Sequence, residues 1–189
     1  MNSLQQSFIL PFLLTIFLTG PVLAADSAAG EQKAESCANC HGQKGNSSNA
    51  LRPNLAAQQP TYIANQLKAF KSGDRINPMM QPMAANLNNE DIANLAAYFS
   101  SQKPVKSSNS NPELAKSGET KAGMCLGCHG ATAQGNGQFP RLAGQHPEYL
   151  EQQLKAFKEG SRKSGPMQAI AANLNEADFK ALAAYFGSL

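Results

Sequence analysis

Between positions 88 and 99 the apolar residues Ile92, Leu95, Ala96 and Phe99 fall at i, i+3, i+4 and i+7, which places them on one face of a helix. Asn88 stands where an N-cap belongs and Asp91 follows three residues on, a spacing that lets each side chain bond the other's backbone N–H. The pattern returns near the end of the chain with Asn175, Asp178, Phe179, Leu182, Ala183 and Phe186. A second periodic segment begins just after Pro60 and stops at Gly73, and its counterpart begins after Pro147 and stops at Gly160; both glycines suit helix C-termini. A short helix leads into each cysteine pair further upstream. No stretch alternates apolar and polar residues at period two for long enough to demand a strand, so the pattern predicts an all-α protein.

The helices recur because the chain is written twice. "GEQKAESCANCHG" (30 to 42) aligns with "GETKAGMCLGCHG" (118 to 130), "QLKAFKSGDR" (66 to 75) with "QLKAFKEGSR" (153 to 162), and "AANLNNEDIANLAAYF" (84 to 99) with "AANLNEADFKALAAYF" (171 to 186). Between the copies lies "SQKPVKSSNSNPE" (101 to 113), whose Ser, Asn, Lys and Pro read as a linker. The expected organisation is a unit over 25–103, a linker over 104–115 and a second unit over 116–189.

The first 24 residues carry no charge and include the apolar run "FILPFLLTIFLTGPVLA". Pro11, Gly20 and Pro21 interrupt it, and "VLA" before Ala25 suits a small-residue cleavage site. Residues 1–24 therefore read as an export signal, with an uncleaved anchor as the competing reading because the usual basic start is missing. Export leads to an oxidising compartment, where bare thiols pair or are capped. The net charge of +3 is spread along the chain without a basic run, which argues against nucleic acid as a partner.

A unit of about 80 residues rich in Gly, Asn and Pro loops buries little apolar area and needs a staple. The pattern Cys-x-x-Cys-His supplies one. It holds all four cysteines and two of the three histidines, as Cys37, Cys40 and His41 and again as Cys125, Cys128 and His129. In an exported chain this spacing reads as covalent attachment of haem c: two thiols one turn apart form thioethers to the porphyrin, and the next His lies beneath the iron. Structural zinc wants four ligands where each unit offers three, and a redox disulfide wants a βαβ setting that is missing here.

Alignment through "AANL" chooses the sixth ligand. Met80 falls on Met167, while Met79 falls on Pro166 and Met83 on Ile170. Met80 and Met167 are the expected ligands, and Met79, Met83 and the unmatched Met124 the expected packing residues. A soft thioether sulfur raises the reduction potential, and two filled axial positions leave no room for substrate, so the chemistry is electron transfer. Pro53 and Pro140 could each offer a backbone carbonyl to the free ring N–H of His41 and His129. His146, aligned with Gln59, reads as a solvated loop residue. Tyr62, Tyr149, Arg75 and Arg162 are candidates for haem propionate contacts, with helix packing and a solvated face as the competing readings.

Together the two "CHG" motifs, "RPNLAAQQPTYIANQLKAFKSGDR", "FPRLAGQHPEYLEQQLKAFKEGSR", the following methionines and "AANL…LAAYF" resemble the dihaem cytochrome c4 family of class I c-type cytochromes. The resemblance spans nearly the whole chain after the leader. It implies two tandem cytochrome-c-like domains, each a few helices around a haem, packed about a pseudo-twofold axis. It also implies a periplasmic carrier, soluble or loosely membrane-associated, that passes electrons from quinol-oxidising complexes toward terminal oxidases. The axial pairs it implies are His41 with Met80 and His129 with Met167. Ala57 departs from the family's "LAGQ", where the second copy keeps Gly144, and this bears on a turn that can need positive φ. A dihaem peroxidase or sulfur-compound dehydrogenase is the alternative, and it would require an open or displaceable axial position.

Overall fold

A computed structural model describes residues 25–106 and 111–189. The leader expected over 1–24 and the middle of the linker, 107–110, lie outside the described residues. Helices α1 (Ser27–His41), α2 (Pro60–Ser72), α3 (Met80–Ala85) and α4 (Asn89–Ser101) build the first unit, and α5 (Pro112–Glu119), α6 (Gly123–His129), α7 (Pro147–Glu159), α8 (Gly165–Ala172) and α9 (Glu176–Ser188) the second. Among the described residues there is no strand, only an isolated bridge between Asn136 and Phe139.

The helix ends follow the local chemistry of the sequence. Both expected capping boxes form: Asn88 Oδ1 accepts from the Asp91 N–H while Asp91 accepts from the Asn88 N–H, and Asn175 and Asp178 repeat the exchange. Pro60 and Pro147 occupy the first turns of α2 and α7, where a missing N–H costs nothing. Gly73 and Gly160 end those helices in the left-handed region at φ 85° and 77°.

The helix leading to the cysteines differs between the copies. In the first unit α1 is continuous, whereas in the second a turn at residues 120–122 divides it into α5 and α6. Gln32 and Glu35 of the first copy are replaced there by Thr120 and Gly123, both poorer helix formers. Two further helices, α3 and α8, run through the methionine segments; they are too short for a periodic signal to reveal.

Each unit is closed by its first helix crossing its last, α1 on α4 and α5 on α9, with the middle helix packed against the last. The crossings demand glycine. A Cβ on Gly30 would lie inside van der Waals contact of the Asn94 carbonyl, and one on Gly118 inside that of Ala181. Equivalent residues fill the two cores: Ala34, Ile63, Leu95, Ala96 and Phe99 in the first, Ala122, Leu150, Leu182, Ala183 and Phe186 in the second. Both cores are thin, and several of their residues, among them Ile63, Leu95 and Phe99 in the first and Leu150, Leu182 and Phe186 in the second, also line the cavity shared with the cysteine motifs.

Candidate functional site

A cavity of about 1240 Å³ runs through both units. Natural interiors hold few voids larger than a water molecule, so walls this far apart are built around an occupant. The walls are matched in pairs, with Leu67, Phe70 and Leu95 on one side and their equivalents Leu154, Phe157 and Leu182 on the other. The volume suits two ligands of ordinary cofactor size, at roughly 300–1,000 Å³ each.

The motif residues line this space. Cys37 and Cys40 sit on the last turns of α1, and Cys125 and Cys128 on α6, all four with free thiols. Cys37 and Cys125 are half-buried, and burial pushes their thiols up from the ordinary value. His41 and His129 end the same helices and are 6 % and 5 % exposed. Burial pushes both imidazoles down; the hydrogen bonds to Pro53 and Pro140 push them back up, and Arg52 beside His41 pushes it further down. In place of Arg52 the second unit has Phe139, whose ring meets His129 edge-on at 6.4 Å.

The carbonyls expected at the prolines are in place. His41 Nδ1–H donates to the Pro53 oxygen at 2.9 Å, and His129 Nδ1–H to the Pro140 oxygen at 2.7 Å. A carbonyl can only accept, so the proton is on Nδ1 and each ring keeps Nε2 as its lone-pair nitrogen. Met80 and Met167 also line the cavity, at the starts of α3 and α8. Asn77 Oδ1 accepts from the N–H groups of Met79 and Met80 and so fixes the entry to α3.

Three methionines do not pack as expected. Met79, Met83 and Met124 are exposed and stand along the cavity wall rather than in the core, because α3 and α6 turn these positions away from the thin helical layer. His146 also departs from its reading. It is 6 % exposed, and its Nε2 reaches the Ser47 carbonyl of the first unit at 2.9 Å. The aligned Gln59 sends its Nε2 to the carbonyl of Gln134, the counterpart of Ser47, at 3.0 Å. The loop is covered by the neighbouring unit, which no local pattern could reveal.

Arg75 and Arg162 likewise turn out to serve the contact between units. Each lies over a phenylalanine ring of its own unit, Arg75 over Phe70 at 4.6 Å and Arg162 over Phe157 at 4.5 Å. Each then crosses: Arg75 donates to Tyr149 Oη and Gln153 Oε1, and Arg162 to Tyr62 Oη and Gln66 Oε1. Tyr62, Tyr149, Arg75 and Arg162 all still line the cavity.

The sites fit haem c on the chemistry of their donors. Each offers two free thiols one turn apart, an imidazole with its second nitrogen fixed, and a thioether, in an apolar chamber. Arg141 adds an independent sign. It lines the cavity, and its buried Nε has no hydrogen-bond partner, as expected of a donor built for a carboxylate-bearing ligand. Ala57 adopts φ 56°, so the turn that Gly144 makes at φ 72° survives the loss of glycine.

The profile of the cytochrome c family matches residues 27–103 and 115–189. Cytochrome c4 of Azotobacter vinelandii is 38 % identical over 94 % of this chain and 96 % of its own length. A thiosulfate dehydrogenase electron acceptor from Thiomonas intermedia is 36 % identical over 87 % of this chain and 83 % of its own. The crystal structure of reduced recombinant cytochrome c4 from Pseudomonas stutzeri superposes with a TM-score of 0.81 at 37 % identity, covering 88 % of this chain and 100 % of that one.

Proposed function

From the premise that this chain belongs to the cytochrome c family, among the dihaem cytochromes c4, we propose that it carries single electrons between respiratory complexes in the periplasm. It is an electron-transfer cytochrome with two covalently bound haem c groups, which supply a one-electron iron couple in each unit. In our reading Cys37 and Cys40 hold the first and Cys125 and Cys128 the second. His41 with Met80, and His129 with Met167, would hold the two irons.

The observation that carries this reading is the bond from each histidine to a proline carbonyl. It fixes the Nδ1–H tautomer and turns each imidazole into a one-sided ligand whose orientation is set before any metal arrives. Thioether sulfur from Met80 and Met167 would favour the ferrous state of a bound haem, and with each iron held by a histidine and a methionine of the chain no position would be left for substrate. The protein then does no bond chemistry of its own. Arg75, Tyr149, Arg162 and Tyr62 join the two halves of the cavity, which supports electron exchange within the molecule.

A quinol-oxidising complex as donor and a terminal oxidase as acceptor follow from the family reading. The apolar leader sequence over 1–24 supports export, and no helix among the described residues is long and apolar enough to cross a membrane. Likeness to electron acceptors of thiosulfate dehydrogenase supports a second reading of the donor, with the same carrier chemistry fed by sulfur oxidation.

The test is a visible spectrum of the exported protein with haem counted per chain. The weak near-red band of methionine sulfur on ferric iron is followed in the wild type, Met80→Ala and Met167→Ala. We expect two haems, with about half of that band lost in each variant. One haem per chain, or a resting wild type that binds cyanide readily, would overturn the closed-carrier reading.

A further inference from the structure

The two histidine bonds do not end at the prolines. The peptide group whose oxygen accepts from His41 is the Pro53–Asn54 unit, and its N–H, on Asn54, donates to Gln145 Oε1 at 2.8 Å. Gln145 belongs to the other unit. Its Nε2 returns to the Asn54 carbonyl at 3.0 Å, so one amide side chain clamps that backbone at two points. The mirror image holds in every atom: His129 donates to the Pro140 oxygen, the N–H of that peptide, on Arg141, donates to Gln58 Oε1 at 2.7 Å, and Gln58 Nε2 returns to the Arg141 carbonyl at 3.0 Å. Both glutamines are deeply buried, at 6 % and 5 % exposure.

A peptide group conjugates its N–H with its C=O. An acceptor on the N–H pushes electron density onto the oxygen, and hydrogen bonds in such a chain strengthen one another. The oxygen then draws the Nδ1 proton more firmly and makes Nε2 more electron-rich, the effect that outer hydrogen bonds have on a metal-bound histidine. An electron-rich nitrogen favours ferric over ferrous iron.

We propose that Gln58 and Gln145 are positioning residues that work crosswise, each lowering the reduction potential of the haem held by the opposite unit's histidine. The proposal rests on the assignment of His41 and His129 as proximal ligands. Docking of the two units and tuning of the two irons are then one set of bonds. Gln145 acts on the His41 iron and Gln58 on the His129 iron, each through a single peptide plane.

The test uses the loaded, full-length protein. In Gln145→Met the side chain keeps its length and loses both bonds to Asn54 together with the one its Oε1 accepts from the His146 N–H, and Gln58→Met does the same for the other clamp, where the third donor is the Gln59 N–H. Potentials are read by spectroelectrochemical titration, with each haem followed by its hyperfine-shifted methyl resonances, assigned through Met80→Ala and Met167→Ala. Gln145→Met should change the ferrous-to-ferric ratio of the His41 haem at fixed potential about threefold toward ferrous, about 28 mV upward for one electron, and leave the His129 haem in place. Gln58→Met should do the reverse. Gln145→Glu, which keeps an acceptor for the Asn54 N–H, should not raise the potential.

Gln59→Met is the control, because it removes a cross-unit bond to the Gln134 carbonyl that lies off the histidine peptides. An equal shift in that variant, a shift confined to the mutated unit's own haem, or no shift at all would overturn the proposal. The wild-type spectrum separates the two claims. If iron-shifted imidazole resonances of His41 and His129 are missing there, the ligand assignment fails and this inference with it. If they are present and the crossed shift is absent, the inference alone fails.

Discussion

Replacing Ala57 by glycine should stabilise the protein, although it removes a methyl group and adds freedom to the unfolded chain. Ala57 stands at φ 56°, in the left-handed region. A residue with a Cβ is disfavoured there by roughly 1–2 kcal/mol. Glycine avoids that cost but loses about 0.4–1 kcal/mol more chain entropy on folding. The difference leaves a net gain of about 0.5–1 kcal/mol for Ala57→Gly, which in a chain of this length raises the melting temperature by about 1–4 °C. The second unit supplies the reverse experiment. Gly144 has φ 72°, and a Cβ there would meet Lys106 Cα at 3.7 Å, an ordinary contact, so Gly144→Ala meets the same backbone cost, offset by the same entropy, with no added clash, and should lower the melting temperature by a similar amount. Thermal unfolding of the ferric, haem-loaded protein by far-ultraviolet circular dichroism, at one scan rate, reads both shifts. Guanidinium titration with an unchanged slope confirms that the native state, not its compactness, has moved. If Ala57→Gly melts at or below the wild type while Gly144→Ala melts at or above it, the positive φ is not costly here and the reasoning fails.

Two other expectations follow from the helix crossings and caps. Gly118→Ala places a methyl inside contact of the Ala181 carbonyl, which can move only with its helix, so the variant should lose about 3 kcal/mol or more, seen as an earlier chemical-denaturation midpoint at unchanged haem content. Lys121 and the Asn175 backbone N–H hold the Asp178 carboxyl below the usual carboxylate range. A depressed folded value means stability that is present above the unfolded value, about 3.9, and is lost as pH falls through the folded one. Asp178→Asn should therefore flatten the acid limb of a stability-against-pH curve, and an unchanged acid limb would refute the assignment.

Sequence periodicity and chemistry made each unit's interior legible: Asn88 with Asp91, Gly73, Ile92 to Phe99, and the cysteine motifs all behave as local rules require. Internal alignment also singled out Met80 and Met167, both of which face the cavity. What stayed hidden was whatever depends on the second unit. His146 has no apolar neighbours in sequence to mark it as buried, and Arg162 looks like any surface cation until Tyr62 and Gln66 are brought across to it. The glutamine clamps had a faint signal, since Gln58 and Gln145 recur at one aligned place before a helix proline, but a repeated polar residue alone does not say what it holds. Met79 and Met83 were misread because a methionine beside an apolar run looks like filling, while helix α3 turns them to the rim.

The crosswise interface also decides which parts of a duplicated protein can drift. A substitution in one copy at Gln58, Gln66, Tyr62 or Arg75 is felt by the other copy, so these positions are bound to a shared inheritance. The cavity mouths carry no such debt to the neighbour. There Leu51 faces the solvent where its counterpart is Gln138, and Met79 where it is Pro166. Duplication has thus left a molecule whose halves must agree along the seam and are free to differ at their outer ends.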